Sequence, residues 1–355
     1  SLCGGKPMGS QLASLRRDPH IVVGTPGRIL KHLEKQTLHL GAVETLVLDE
    51  ADRMLDMGFL EDITRIIDAT PTSRQSLLFS ATYPEGIKEI SGSVQRDPIE
   101  IRVEDSHHSP DIEQVFFKVE KSERIQTLFN LLAHYQPEST LIFCNTKQQC
   151  HDLSGELREL DLHALALHGD LEQFERDQVL AQFSGKSSSI LIATDVAARG
   201  LDVKELAAVI NFELSRDPEV HIHRIGRTAR AGSKGLAVSL VAAADKRHLK
   251  AIEEYQGSPA TIVSSTKLTT PKNFKLYPSM VTLFVNGGRK EKVRAGDLLC
   301  ALTASGEITG AQIGKITLFD KIAYVAVEQQ VAKLALTILS DGKIKGRKFR
   351  VRRLR

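Results

Sequence analysis

The sequence predicts an α/β protein with two domains built on parallel sheets, the first incomplete, followed by a small α+β domain. Three observations carry this. Short apolar runs alternate with helical patterns from residue 1 to about 255, the pattern of parallel strands covered on both faces. A polar span over 104–111 and a Ser/Thr/Pro/Lys-rich span over 256–279 interrupt that alternation and read as linkers. From 280 to 355 the order becomes strand, helix, strand, strand, helix, strand, which suits one small sheet with two helices on one face.

Taken in order, residues 1–103 show strands at Ile21-Val22-Val23, Thr45-Leu46-Val47-Leu48 and Ser76 to Phe79, with a helix after Asp52. Residues 112–255 show strands at Thr140 to Phe143, Ala164 to Leu167, Ser189 to Ala193, Ala208 to Phe212 and Leu236 to Leu240. In the last domain the strands are expected at Val281 to Val285, Ile313 to Phe319, Tyr324 to Val327 and Arg347 to Arg353, with helices at Ala295 to Thr303 and Gln330 to Leu339. The chain opens at Ser1 in what reads as the middle of a domain. A half-sheet of this kind exposes an unpaired edge, so poor solubility is expected unless upstream sequence is supplied.

With 355 residues and 41% hydrophobic composition there is enough apolar side chain for a core in each domain. No apolar run approaches the roughly 20 residues of a membrane span, and no secretory leader pattern is present, so a cytoplasmic protein without a membrane partner is expected. Cys3, Cys144, Cys150 and Cys300 lack metal-ligand spacing and read as reduced structural thiols. The net charge of +3 hides an asymmetry: residues 278–355 hold 15 Lys/Arg against 6 Asp/Glu, a net of +9, which leaves −6 for the rest. Such a basic end favours a polyanion partner over a merely solvated edge.

The tetrad Asp49-Glu50-Ala51-Asp52 stands where an apolar strand ends and a helix begins. Carboxylates at that place suit magnesium, a hard cation that keeps several waters. Asp49 is expected to hold Mg2+ through water, and Glu50 to polarise the attacking water in phosphoryl transfer. By itself the tetrad also reads as acidic residues offsetting a helix dipole.

Further motifs follow in order: Thr25-Pro26-Gly27-Arg28, Ser80-Ala81-Thr82, Gln173-Phe174-Glu175-Arg176, Thr194-Asp195-Val196-Ala197-Ala198-Arg199-Gly200-Leu201-Asp202, and His223-Arg224-Ile225-Gly226-Arg227-Thr228-Ala229-Arg230. In this order and spacing, residues 1 to about 250 resemble the DEAD-box ATP-dependent RNA helicases. The resemblance implies two RecA-like domains that close over ATP, Mg2+ and single-stranded RNA. Arg227 and Arg230 can then stabilise charge on a γ-phosphate. The resemblance further implies that Asp52, Ser80, Thr82 and His223 couple the nucleotide and RNA sites, that Gly200 and Asp202 meet the nucleotide, and that Thr25, Gly27, Arg28, Gln173, Arg176 and Thr194 contact RNA. No Gly-rich loop closing on Lys-Thr occurs, so the chain by itself is not expected to hydrolyse ATP.

The last domain, with Leu283-Phe284-Val285-Asn286-Gly287-Gly288, Ala311 to Ile316, Tyr324 to Val327 and Lys343-Ile344-Lys345-Gly346, resembles the RNA recognition motif of the DbpA-type subfamily. That likeness implies docking on large-subunit ribosomal RNA and pre-ribosomal particles. Only Phe284 and Tyr324 are candidates for base stacking, and either can face the core instead. Binding is therefore expected to lean on Arg289, Lys290, Lys292, Arg294, Lys345, Arg347 and Lys348.

The leading expectation is a monomeric ATP-dependent RNA helicase, an RNA-stimulated ATP hydrolase acting in large ribosomal subunit assembly. A non-catalytic RNA-binding protein is the alternative, and a DNA helicase or nuclease subunit is disfavoured by the tetrad and the tail.

Overall fold

The computed structural model describes every residue except 81–82, 84, 103–111, 199–205, 230–233, 270, 272–273 and 355, and gives backbone alone for Asp56 and Glu85. The chain forms two compact units, Ser1–Glu104 and Asp105–Arg355.

The first unit contains α1 (Met8–Leu15), α2 (Pro26–Glu34), β1 (Thr45–Leu48), α3 (Ala51–Asp56), α4 (Leu60–Asp68), β2 (Gln75–Leu78) and α5 (Glu85–Val94). β1 and β2 pair in parallel, Thr45 opposite Gln75 and Leu48 opposite Leu78. Period-2 alternation sends Leu46 and Leu48 toward a core with Ile63, Ile87 and Ile90, while Val47 and Phe79 stay half exposed. The strand expected over residues 21–23 does not form. Val23 only receives a hydrogen bond from Leu2 N at 2.7 Å, a single bridge with Ile21 and Val23 exposed.

In the second unit follow β3 (Ile112–Lys118), α6 (Arg124–Tyr135), β4 (Thr140–Phe143), α7 (Lys147–Glu159), β5 (Ala164–Leu167), α8 (Gln173–Ser184), β6 (Ile190–Ala193), α9 (Asp195–Ala198), β7 (Ala208–Asn211), α10 (Pro218–Ile225), β8 (Gly235–Val241), α11 (Lys246–Gln256) and β9 (Ile262–Ser264). All seven strands are parallel, in the order β5-β6-β4-β7-β8-β3-β9. β4, β6 and β7 are buried along their whole length because helices cover both faces, which accounts for their unbroken apolar runs. Thr146 and Asp217 cap α7 and α10, accepting from Gln149 N and Glu219 N, and Pro218 supplies the first helical φ of α10. The span 256–279, expected as a linker, supplies edge strand β9 and lays Phe274 edge-on to Phe129. Its Ser/Thr/Pro composition masked a three-residue strand too short to show a period.

The chain ends in β10 (Met280–Val285), α12 (Ala295–Thr303), β11 (Ile313–Leu318), β12 (Ala323–Glu328), α13 (Ala332–Asp341) and β13 (Val351–Arg353), an antiparallel sheet in the order β11-β12-β10-β13. One face, with Val281, Leu283, Val285, Val325 and Val327, packs under α12 and α13. The other meets α8. Tyr324 is buried with Ala181 and Leu354, Ser187 Oγ lies 2.5 Å from Thr282 Oγ1, and Met280 N donates to Lys186 O at 3.2 Å. The last strand is shorter than expected. Ile344 and Arg347 close a turn in which Lys345 and Gly346 take positive φ, so Arg347 and Lys348 stand on a loop.

Candidate functional site

The tetrad sits where β1 ends, as its apolar run demands. Asp49 and Glu50 are exposed, and Asp49 Oδ1 accepts from Glu50 N at 3.0 Å. Glu50 has φ 52° and ψ 49°, a left-handed conformation that costs a non-glycine residue about 1 to 3 kcal/mol and clusters at functional sites. Its carboxylate accepts from Arg53 Nη1 at 2.6 Å. Ala51 N donates to Phe79 O and Asp52 N to Ser80 Oγ at 3.2 Å, so the parallel pairing of β1 with β2 brings the tetrad and the Ser80 motif together. Thr82 lies outside the described residues.

Thr25 stands at the N-cap of α2 and Gly27 in its first turn. Arg28 Nη1 donates to Lys6 O at 2.9 Å and to Gln11 Oε1 at 2.8 Å. Gln11 also meets buried His32 at 3.0 Å, whose other ring nitrogen meets Thr37 at 2.8 Å. Burial, with Arg28 and Lys35 nearby, holds the His32 pKa below its ordinary value. The cation at Arg28 is thus set by a buried polar chain that the motif alone did not disclose.

In the second unit Gln173 and Arg176 lie on the first turn of α8. Arg176 Nη2 approaches Ala197 O at 3.5 Å, and Thr194 Oγ1 accepts from Ala197 N at 3.4 Å, so two of the three RNA candidates of this domain, Arg176 and Thr194, come together at α9. Gln173 Nε2 donates to Asp177 Oδ1 at 2.8 Å. His223 is half-buried on the last turn of α10, and Arg227 follows in the turn beyond it. Gly200, Asp202 and Arg230 lie outside the described residues.

The residue that sequence reasoning missed is Arg224. It is 1% exposed, yet its guanidinium makes five hydrogen bonds: two to the Asp195 carboxylate, and one each to Asn145 Oδ1, Asn211 Oδ1 and Glu213 O at 2.8 to 3.2 Å. It also lies 5.1 Å from the centre of the Phe143 ring. These partners come from the C-terminal ends of β4, β6 and β7, the edge where open parallel sheets bind ligands. Arginine's rigid five-donor fork suits the task, and lysine's three donors do not. Next to it His221 is buried against Phe116 with neither ring nitrogen hydrogen-bonded, and burial reinforced by Arg224 lowers its pKa to about 4.

All seven basic candidates of the last domain are exposed. Residues 289–294 and 345–348, far apart in sequence, meet where Lys345 Nζ donates to Lys292 O at 3.2 Å, so the cations form one patch. Of the two aromatic candidates, Tyr324 is only 1% exposed, closed in by α8 rather than by its own helices, while Phe284 is half-buried with the Arg352 guanidinium 4.8 Å over its ring. Cys144 and Cys150 are buried, and contact with Cys150 together with burial raises the Cys144 thiol well above its ordinary pKa, as structural thiols require. Among the described residues no group of three His, Cys, Asp or Glu gathers as a metal cage, and no helix is long and apolar enough to cross a membrane.

Comparison with known proteins matches three families along the chain: "DEAD/DEAH box helicase" at residues 1–90, "Helicase conserved C-terminal domain" at 123–232 and "DbpA RNA binding domain" at 282–353. The ATP-dependent RNA helicase DbpA of Escherichia coli is 49% identical, over 100% of this chain and 77% of that protein. The Bacillus subtilis DbpA is 36% identical, over 98% and 77%. Among solved structures, S. cerevisiae Dbp5 bound to RNA and ADP BeF3 aligns with a TM-score of 0.63 at 32% identity, covering 68% of this chain and 65% of that one. With the tetrad at a strand end, an arginine motif that begins on α10 and a small basic sheet domain all on one chain, it belongs to the DbpA-type DEAD-box ATP-dependent RNA helicases.

Proposed function

We propose that this helicase remodels ribosomal RNA during assembly of the large ribosomal subunit, acting in the cytoplasm as a monomer and addressed to pre-ribosomal particles by its last domain. The observation that carries an RNA address is the joining of two basic loops through Lys345 and Lys292 into one exposed patch. Phosphate contacts of that kind bind strongly and without reading sequence. The choice of ribosomal RNA rests on the likeness of the last domain to DbpA-type RNA-binding domains.

The first unit's residues fit ATP with magnesium. Asp49 presents an exposed carboxylate at a strand end, where a cation that keeps its waters needs few protein oxygens. Bound there, magnesium would neutralise charge on the phosphates. Glu50 would orient the attacking water, and Ser80, bonded to Asp52 N, would carry the state of that site along β2. In the second unit Arg227 and Arg230 would supply cations to the transferred phosphoryl group, with Arg224 fixing the helix that leads into the turn of Arg227. Dbp5 was solved bound to RNA and ADP BeF3, which supports RNA contacts by Thr25, Gly27 and Arg28 in the first unit and by Gln173, Arg176 and Thr194 in the second.

ATP turnover by the 355-residue chain alone is not expected, since its sequence holds no Gly-rich loop ending in Lys-Thr. The test joins this chain to a phosphate-loop segment from a DbpA-type relative and measures ATPase with large-subunit ribosomal RNA fragments and with unrelated RNA, taking Glu50→Gln as control. Stimulation by the ribosomal fragments alone, lost in the control, supports the proposal. Equal stimulation by unrelated RNA overturns the ribosomal address, and no stimulation by any RNA overturns the whole reading.

A further inference from the structure

Helix α8 serves two surfaces. Its first turn bears Gln173 and Arg176, and its flank carries the open face of the last domain's sheet. The middle of that face is shut to any base, since Tyr324 lies under Ala181 and Leu354, and Thr282 is in contact with Ser187. At the margin it stays open. Phe174, between Gln173 and Arg176 in sequence, is 45% exposed, and its ring stands edge to face with Phe284 at 6.4 Å between centres. Phe284 in turn carries the exposed Arg352 guanidinium, held opposite it by the β10–β13 register.

Packing alone does not explain an aromatic at 174, because about half of the side chain faces water. The local carboxylates are turned inward to the helix: Asp177 accepts from Gln173 Nε2, and Glu175 Oε2 from Glu172 N at 2.9 Å. An exposed ring backed by Phe284 and its Arg352 guanidinium suits a base above and a phosphate beside. A single-stranded polyanion finds here an exposed ring with the Arg352 cation held over the ring behind it.

We propose that Phe174, backed by Phe284 and Arg352, is a stacking station for one base of single-stranded RNA running from Gln173 and Arg176 onto the last domain. This rests on the RNA-binding reading above and extends it to the margin of two domains. A base there stacks on Phe174, and Arg352 takes the adjoining phosphate.

The test uses the full chain and a labelled oligouridylate of about twelve nucleotides, long enough to cover both surfaces. A companion strand carries one 2-aminopurine, whose emission drops on stacking. Phe174→Leu keeps apolar cover over Phe284 and removes the stacking face. It is expected to weaken binding about tenfold, to abolish the 2-aminopurine quench and to leave the salt dependence unchanged. Binding within about twofold of the unaltered chain, with the quench intact, overturns the station. Failure of the unaltered chain to bind any single strand overturns the RNA reading and the station with it.

Discussion

Arg224 and Asp195 meet through two parallel hydrogen bonds, Nε to Oδ1 at 2.7 Å and Nη2 to Oδ2 at 2.8 Å, with the arginine fully buried and the carboxylate about a quarter exposed. A buried pair of this kind matters chiefly when it is broken. Removing one partner strands the other charge away from water, at a cost of about 3 to 5 kcal/mol. Asp195→Ala is therefore expected to destabilise the second RecA-like domain by about 3 kcal/mol. Arg224→Lys is expected to fall nearly as far, since an ammonium cannot reach all five acceptors. Urea unfolding of the chain at neutral pH checks both.

His221 gives that domain an acid limit. Its pKa is about 4 in the fold and about 6.5 in the unfolded chain, so between those values the unfolded state binds the extra proton. The contribution is fully present above pH 6.5 and drains away as pH falls toward 4, about 3 kcal/mol in all. His221→Phe keeps the stacking on Phe116 and removes the proton. Its stability is expected to decline less steeply across that window, as unfolding curves at a series of pH values would reveal.

Gly185 ends α8 with its Cα against the last domain. A Cβ there would stand 3.2 Å from Ala326 Cβ and 2.8 Å from Ala181 O. Gly185→Val is expected to lift the sheet off the helix. Tyr324 reports this directly, because burial, with Asp177 adding to it, pushes its phenol to about 12. In the variant the phenol is expected to titrate nearer 10, read by ultraviolet absorbance against pH.

Salt dependence tests the basic patch. If Lys345, Arg347 and Lys348 each neutralise one phosphate, changing all three to Ala is expected to lower the slope of log affinity against log salt by about 2 to 3. Affinity should fall alike for ribosomal and unrelated RNA, because phosphate contacts carry no sequence information. Fluorescence anisotropy over a salt series measures both.

The parallel architecture was legible because buried strands such as Thr140 to Phe143 and Ile190 to Ala193 leave unbroken apolar runs, and the tetrad was legible because it follows the short apolar run of β1, although that strand is buried only at Leu48. Arg224 was hidden in a motif whose neighbours drew the attention. Its partners lie 11 to 79 positions away and meet only when three strand ends align. The burial of Tyr324 was equally unreadable, since a period of two assigns a residue to a face but does not say what covers that face. The shortened last strand did carry a signal, Gly346, whose positive φ closes a turn inside the run of cations.

On the helix side the seam along α8 is built from small residues, Ala181 and Gly185, which receive Tyr324, Thr282 and Ala326 from the sheet, with Gly314 close behind Ala326. Such a fit leaves no room for one side to drift without the other. Among related helicases, residues at these positions should therefore co-vary as a set, so that a bulkier residue on the helix is matched by a smaller one on the sheet. A chimaera that borrows only the last domain from a distant relative should inherit a mismatched joint, and exchanging the helix along with the domain should mend it.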